Sequence, residues 1–487
     1  MLLSKKELSL LKKKLEVNIE ASDKNKNKSK ALLKLVLNNY EITQVELEKG
    51  LYGSSNKIAF NKLIDRAIEK IDEVLLNFST DVTSIYSERN YYYFYLKRKL
   101  LVIQMRLLRG IEFNFDLQLE KIISLAEKFE HYDVMIEALH ARQRHVILRD
   151  KKAIGKIQKM IARSEEIRNK ILRAKDIWIK LAVQISSNTL SNYYSKELAE
   201  WCKILKEDFE QTDSKTIAFY YYYLVIESHQ IAENYREADV YLRKLLSLLK
   251  NNQSLYTTAR YGDALINLAN NEILLRDYSS AIVNAIIAKG CFENNSVNYH
   301  VASEIEFLAR YYNGEIAEGL IEEIYYFCKS NGGPFLYSKY AYLYACIKTI
   351  RGEFEKSNEL LTEVKKTEED KGRWNLGKRT LSIINGIEIG DYESVELKVL
   401  NLEKFLKRIS KTHEVRKRDK IIQRILLKLI NENFDFNKVY KQRKKYFDLL
   451  ESDDPEYCWK IKSPELIIFQ DWFKGKMKEQ DKKQIPI

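Results

Sequence analysis

Short turn signals recur at one fixed interval along the second half of the chain. Arg276-Asp277-Tyr278-Ser279-Ser280-Ala281, Gly314-Glu315-Ile316-Ala317-Glu318-Gly319, Gly352-Glu353-Phe354-Glu355-Lys356-Ser357 and Gly390-Asp391-Tyr392-Glu393-Ser394-Val395 close on a small or apolar residue at 281, 319, 357 and 395, a step of 38 each time. Apolar residues keep helical spacing on both sides of every turn. A constant period of this size is the mark of stacked helical hairpins. Two antiparallel helices cannot bury both faces alone, so each hairpin leans on its neighbours and the stack grows lengthwise. A fifth signal, Glu233-Asn234-Tyr235-Arg236-Glu237-Ala238, lies 43 residues before Ala281 and brings the array to five units between Ala218 and Leu402.

Composition supports an all-α chain. Of 487 residues only 16 are Gly and 4 are Pro, and no Pro precedes Pro334, so residues that break helices or build tight β turns are scarce. The five cysteines are widely separated and contain no Cys-x-x-Cys pair, which argues against zinc or redox chemistry. Met1-Leu2-Leu3 runs straight into Ser4-Lys5-Lys6-Glu7, leaving no apolar core for a signal peptide. No stretch reaches the roughly 18 apolar residues of a membrane span, and the expectation is a cytoplasmic protein. The net charge of +13 is compatible with a polyanionic partner. It is equally the outcome of a coding bias that enriches Lys, Asn, Ile and Tyr together.

Four regions follow: an N-terminal helical unit (1–80), irregular hairpins (81–215), the regular repeats (216–402) and a basic helical cap (403–487). In the first, Thr43-Gln44-Val45-Glu46 has capping-box spacing. Gly50-Leu51-Tyr52-Gly53 ends that helix, and Ser54 or Ser55 caps the next. That next helix carries Phe60, Leu63, Ile64, Ala67, Ile68, Ile71 and Leu75 on one face. Helix, tight turn, helix is the outline of a helix-turn-helix. In the second region Phe129-Glu130-His131-Tyr132-Asp133 is a degenerate turn signal. In the last, Ser463-Pro464-Glu465 has the form of a helix start, Ser capping and Pro in the first turn.

The unit from Asn267-Leu268-Ala269 through Asp277-Tyr278 to Ala281-Ile282 resembles a tetratricopeptide repeat. Leu268 and Ala269 stand where that family places its Leu-Gly pair, Asp277-Tyr278 at its turn, and Ala281 and Ala288 at its small positions. Gly352-Glu353-Phe354 and Gly390-Asp391-Tyr392 match the same turn. The family's period is about 34 residues and its early Trp has no counterpart here, so the resemblance implies a longer, looser α-α superhelix with a concave binding groove. The N-terminal outline is also similar to a helix-turn-helix-like unit that precedes helical repeats in some bacterial proteins.

No catalytic constellation is present. The chain has neither a Gly-x-x-x-x-Gly-Lys loop nor a Gly-x-Ser-x-Gly elbow. Glu137 and His140 have the i, i+3 spacing of di-iron bundles but lack the second pair and two further Glu that such sites need. The expectation is a non-enzyme with no cofactor and no metal. If the repeat register holds, Tyr220, Tyr223, Glu227, Asn270, Tyr311, Tyr312 and Tyr342 face the groove, where Tyr and Asn side chains suit an extended peptide. From Lys404 to Lys445 there are fifteen Lys or Arg against four acids. There Lys417, Lys420, Arg424 and Lys428 oppose an apolar face of Ile421, Ile422, Ile425, Leu426, Leu429 and Ile430, as a stripe tracking phosphates would. The second N-terminal helix offers Lys57, Lys62 and Arg66 to a nucleic acid. The reading is a right-handed superhelical scaffold or adaptor gripping a peptide or helix of another protein. The alternative is a regulator that contacts DNA or RNA through the N-terminal unit or the basic cap.

Overall fold

A computed structural model of the chain describes residues 32, 35, 43–52, 57–76, 88–111, 114–147, 150–186, 192–364, 373–411 and 415–484. Among them are twenty-one helices and no strand. The chain is therefore all-α, built from helices that pack chiefly on their neighbours in sequence. It divides into two compact units. One runs to Tyr221 and includes Leu248–Thr257; the other comprises Tyr222–Ser247 and everything from Thr258 onward.

In the first unit, α1 (Gln44–Tyr52) and α2 (Lys57–Leu76) are the two helices of the proposed helix-turn-helix. The capping box forms. Thr43 N donates to Glu46 Oε2 at 2.8 Å, and Glu46 N donates to Thr43 Oγ1 at 3.4 Å. Phe60 and Leu63 are buried, while Lys57, Lys62 and Arg66 are exposed. The turn at 53–56 and the capping serines lie outside the described residues. Helices α3 (Glu88–Leu108), α4 (Phe115–Lys128) and α5 (Tyr132–Val146) share a core of Leu96, Leu100, Phe115, Leu119, Val134 and Leu139. Helix α6 (Lys151–Ser186) is 36 residues long and packs on α5. Its buried Ile157, Ile161, Ser164, Ile167, Ile171, Ala174, Ile177 and Leu181 follow a three-to-four spacing. Within the region read as irregular hairpins, this continuous apolar stripe makes one long helix. Helix α7 (Asn192–Thr212) follows.

Helix α8 (Lys215–Ile231) begins in the first unit. Its first amides would lack partners, but the carboxylate of Glu130 accepts from Lys215 N at 2.7 Å and Thr216 N at 2.8 Å. Glu130 sits at the degenerate turn signal, in the left-handed region at φ 53.

The regular array lies in the second unit. After α9 (Tyr235–Asn251), the first helices of the hairpins are α10 (Thr258–Leu274), α12 (Val297–Tyr312), α14 (Pro334–Ile350) and α16 (Arg373–Ile389). The second helices are α11 (Tyr278–Lys289), α13 (Glu318–Asn331), α15 (Phe354–Glu363) and α17 (Tyr392–Ile409). At every junction the period has one physical cause. Residues 276, 314, 352 and 390 all take positive φ (65°, 88°, 77° and 84°). The following amide then reaches back five residues: Asp277 N to Glu272 O, Glu315 N to Arg310 O, Glu353 N to Lys348 O and Asp391 N to Gly386 O, each at 2.9 Å. This is the Schellman stop. The next helix starts at once, Asp277 and Asp391 capping it by accepting from Ser280 N and Ser394 N.

One unit departs from this. After Gly314 the second helix starts at Glu318, two residues later than the period requires, so Gly319 is exposed and Ile321 takes the buried place that Ala281, Ser357 and Val395 hold elsewhere. Ala281 and Ala288 are fully buried. Asn271 and Asn385, three periods apart, are also fully buried. The first donates to Tyr235 O at 2.9 Å; the second binds Ser357, Asn358 and Thr349.

The cap consists of α18 (Lys417–Asn431), α19 (Phe436–Gln442), α20 (Lys444–Leu450) and α21 (Phe469–Gln484) around Phe447, Phe469 and Phe473. Here one local expectation fails. Ser463-Pro464 does not start a helix; α21 begins only at Phe469, whose amide donates to Glu465 Oε1 at 3.0 Å. Residues 451–468 form a non-helical strap instead.

Candidate functional site

The strap lies on the inner helices of the regular array. Tyr311 donates its hydroxyl to Leu466 O at 2.9 Å, and Tyr342 donates to Pro464 O at 2.6 Å. The Tyr312 hydroxyl accepts from Lys462 N at 3.0 Å. The Lys462 ammonium donates to Asn270 Oδ1. Trp459 stands edge-on to Tyr312 with ring centroids 5.9 Å apart, and its indole donates to Glu465 O at 2.8 Å. Four of the seven residues assigned to the groove are thus brought together, and the chain's own segment 459–466 lies against them. These contacts also explain the failed helix start: the carbonyls of Pro464, Glu465 and Leu466 are bonded sideways to Tyr342, Trp459 and Tyr311.

The backbone fits closely. A Cβ on Gly377 would stand 2.7 Å from the Tyr342 hydroxyl and 3.5 Å from Pro464 Cβ, so glycine there makes room for both. Lys462 itself takes φ 62, which turns the strap sharply. The far end is anchored in the cap. Arg418 is 0% exposed and grips Glu465 through two hydrogen bonds, Nε to Oε2 at 2.8 Å and a second guanidinium nitrogen to Oε1 at 2.6 Å. It also donates to Tyr457 O at 2.9 Å and Gln470 Oε1 at 2.7 Å. Its charge is thereby fully paired in the interior.

Burial dominates the titration of this site. It pushes the Tyr312 phenol up to about 12 and the Tyr342 phenol well above its ordinary value. It draws Lys462 down to about 8, the attraction of Glu304 only partly opposing it. For Glu304, burial acts upward but is outweighed by Lys339 at 2.6 Å and the Tyr340 hydroxyl at 2.7 Å, so its carboxyl is held below the usual range.

Of the other assigned residues, Tyr220 is in the first unit, its ring 6.4 Å from Trp178. Tyr223 is buried on α8, and Glu227 on the same helix has its carboxyl raised by burial. The basic stripe is partly neutralised: Lys417 pairs with Glu456, and Lys428 with Glu432, which also binds Lys438. Lys420 and Arg424 remain exposed. Glu137 is paired with Lys97, and no cluster of three or more His, Cys, Asp or Glu suited to a metal occurs among the described residues. Nor is any described helix long and apolar enough to cross a membrane.

Trp459, Lys462, Glu465 and Arg418 were not assigned from sequence. A signal was present: Ser452-Asp453-Asp454-Pro455 and Pro464 interrupt helical periodicity between two apolar helices. No protein-family model matches the chain, and no curated protein or solved structure is similar to it.

Proposed function

We propose that the chain is a non-enzymatic, tetratricopeptide-repeat-like scaffold of the cytoplasm that holds an extended peptide of another protein on the inner helices of its regular array. The observation that carries this reading is the strap. Tyr311, Tyr312, Tyr342 and Asn270 meet a non-helical segment largely through its backbone, the chemistry by which a surface grips an extended chain of varied sequence. The same chemistry favours an extended peptide over a helix, whose carbonyls are already bonded internally. A partner must compete with the strap, which is present at the high effective concentration of a tethered ligand.

The test uses the full chain with the strap loosened by Lys462→Ala and Pro464→Ala, together with a labelled peptide copying residues 457–468. Hydrogen exchange reports whether the strap is released. The expected result is saturable binding to the loosened variant and weak binding to the wild type, with Asn270→Ala and Tyr311→Phe each weakening it about five-fold or more. A released strap with no peptide binding overturns the reading. A second reading, nucleic-acid binding, draws support from Lys57, Lys62 and Arg66, exposed beside an inward-facing Phe60 and Leu63. It requires that changing all three to Gln weaken duplex binding and flatten its salt dependence.

A further inference from the structure

Helices α16 and α17 enclose a cleft of about 260 Å³ inside the second unit. Asn375, Lys378, Arg379, Ser382, Lys398 and Asn401 line it, over the buried ring of Phe405. No carboxylate is among them. Two acids of the same helices are engaged elsewhere: Glu388 binds Trp472 and Lys476, and Glu403 pairs with Lys407. Arg379 lies over the Phe405 ring at 4.5 Å and Arg408 at 5.4 Å, so one aromatic holds two like charges together. Burial and then the Arg408 charge depress Arg379; burial and then Arg379 depress Lys378.

Among the described residues Lys378, Arg379 and Lys398 share this cleft, and Arg408 the Phe405 ring, with no carboxylate in the lining, which makes the recess electropositive. Lys378 uses one donor on Val364 O at 2.6 Å, and Lys398 makes a long bond to Ser382 O at 3.4 Å. Both ammoniums keep further donors. A guanidinium directs its N–H groups outward in its own plane, the geometry for two-pronged contact with an oxyanion.

We infer that this cleft is a binding site for a small ligand carrying a diphosphate or an equivalent multiply charged phosphate group, held by Arg379, Lys378 and Lys398 with Asn401 and Ser382 as neutral partners. Three cations at one point exceed what a single carboxylate can neutralise. The volume lies below the usual range for large organic ligands, about 300–1,000 Å³, which selects a compact anion, and a cleft lined by a single helical hairpin does not admit a duplex backbone. The inference does not depend on the peptide reading, whose residues lie on α10, α12 and α14.

The test is calorimetric titration of the full chain with inorganic pyrophosphate, and in parallel with a short DNA duplex. One-to-one pyrophosphate binding is expected, weakened roughly ten-fold or more by Arg379→Gln and by Lys398→Gln, as loss of one charge-assisted hydrogen bond implies. Lys244→Gln, at an exposed position of α9, should leave it unchanged. Removing a repelling charge should not lower the melting temperature without ligand, so lost binding cannot be put down to unfolding. No pyrophosphate binding, binding indifferent to both substitutions, or Arg379-dependent binding of the duplex alone would each overturn the site.

Discussion

Lys462 gives up most of its hydration to reach Asn270, and gains little counter-charge in return, because Glu304 is already committed to Lys339 and Tyr340. Its value near 8, against about 10.5 in an unfolded chain, fixes the sign of a pH effect. Below pH 8 both states carry the proton, and the cost of burying the charge is felt in full. Between pH 8 and 10.5 the unfolded chain holds a proton that the folded chain has lost, so stability rises with pH. Buried thiols and phenols act the other way above about pH 9, since Cys346 and Tyr342 stay protonated when folded. The comparison must therefore be made against Lys462→Met, in which those shared titrations cancel. Between pH 7.5 and 9.5 the wild type should gain on the order of 1–2 kcal/mol relative to Lys462→Met, read from urea midpoints. Parallel pH profiles would show that the ammonium is not enclosed as described.

At the scale of the element, the turns were legible because each is written locally. A left-handed residue is followed at once by the residue whose amide reaches back and which, as Asp277 and Asp391, also caps the next helix, and only sequence neighbours are needed to build them. Arg276 makes this testable, since it holds at φ 65 what Gly352 holds at φ 77. Arg276 is exposed, and nothing lies within 4 Å of a Cβ placed on Gly352, so both substitutions read conformation alone. Gly352→Ala should cost about 1 kcal/mol, whereas Arg276→Gly should gain about 0.5 kcal/mol, the relief of strain being partly offset by the freer unfolded chain. Equal and opposite-signed shifts in urea midpoint would not be expected; two losses would sink the account. The strap was illegible for the converse reason. Ser463-Pro464-Glu465 has a helix-start pattern, but Tyr342 and Tyr311 reach the carbonyls of Pro464 and Leu466 from more than 100 residues away. The tyrosines were picked out by register, yet nothing local named the segment they bind. The 36-residue length of α6 was not legible, because a periodic stripe marks a face, while a helix's length is fixed only by where a turn fails to occur.

For the second unit as a whole, the strap changes how stability is distributed. In a plain hairpin stack each repeat touches only its neighbours, so unfolding proceeds unit by unit from the ends. Here one segment joins α10 through Asn270, α12 through Tyr311 and Tyr312, α14 through Tyr342 and the cap through Arg418. Contacts separated by 47 to 192 residues in sequence thus tie the array into one cooperative body. Glu465→Ala leaves the buried Arg418 charge without its carboxylate, a change that typically costs about 3–5 kcal/mol, and frees the strap at its anchor. Hydrogen exchange should then quicken in residues 258–274 and 297–312 as well as in the cap. Tyr342→Phe keeps the ring and removes only the hydroxyl bond to Pro464 O, worth about 1 kcal/mol. It should reproduce the same pattern more weakly and without disturbing α18. Faster exchange confined to 417–431 and 469–484 in both variants would mean that the strap rests on the array without coupling it, and the hairpins would then melt independently as in any nearest-neighbour stack.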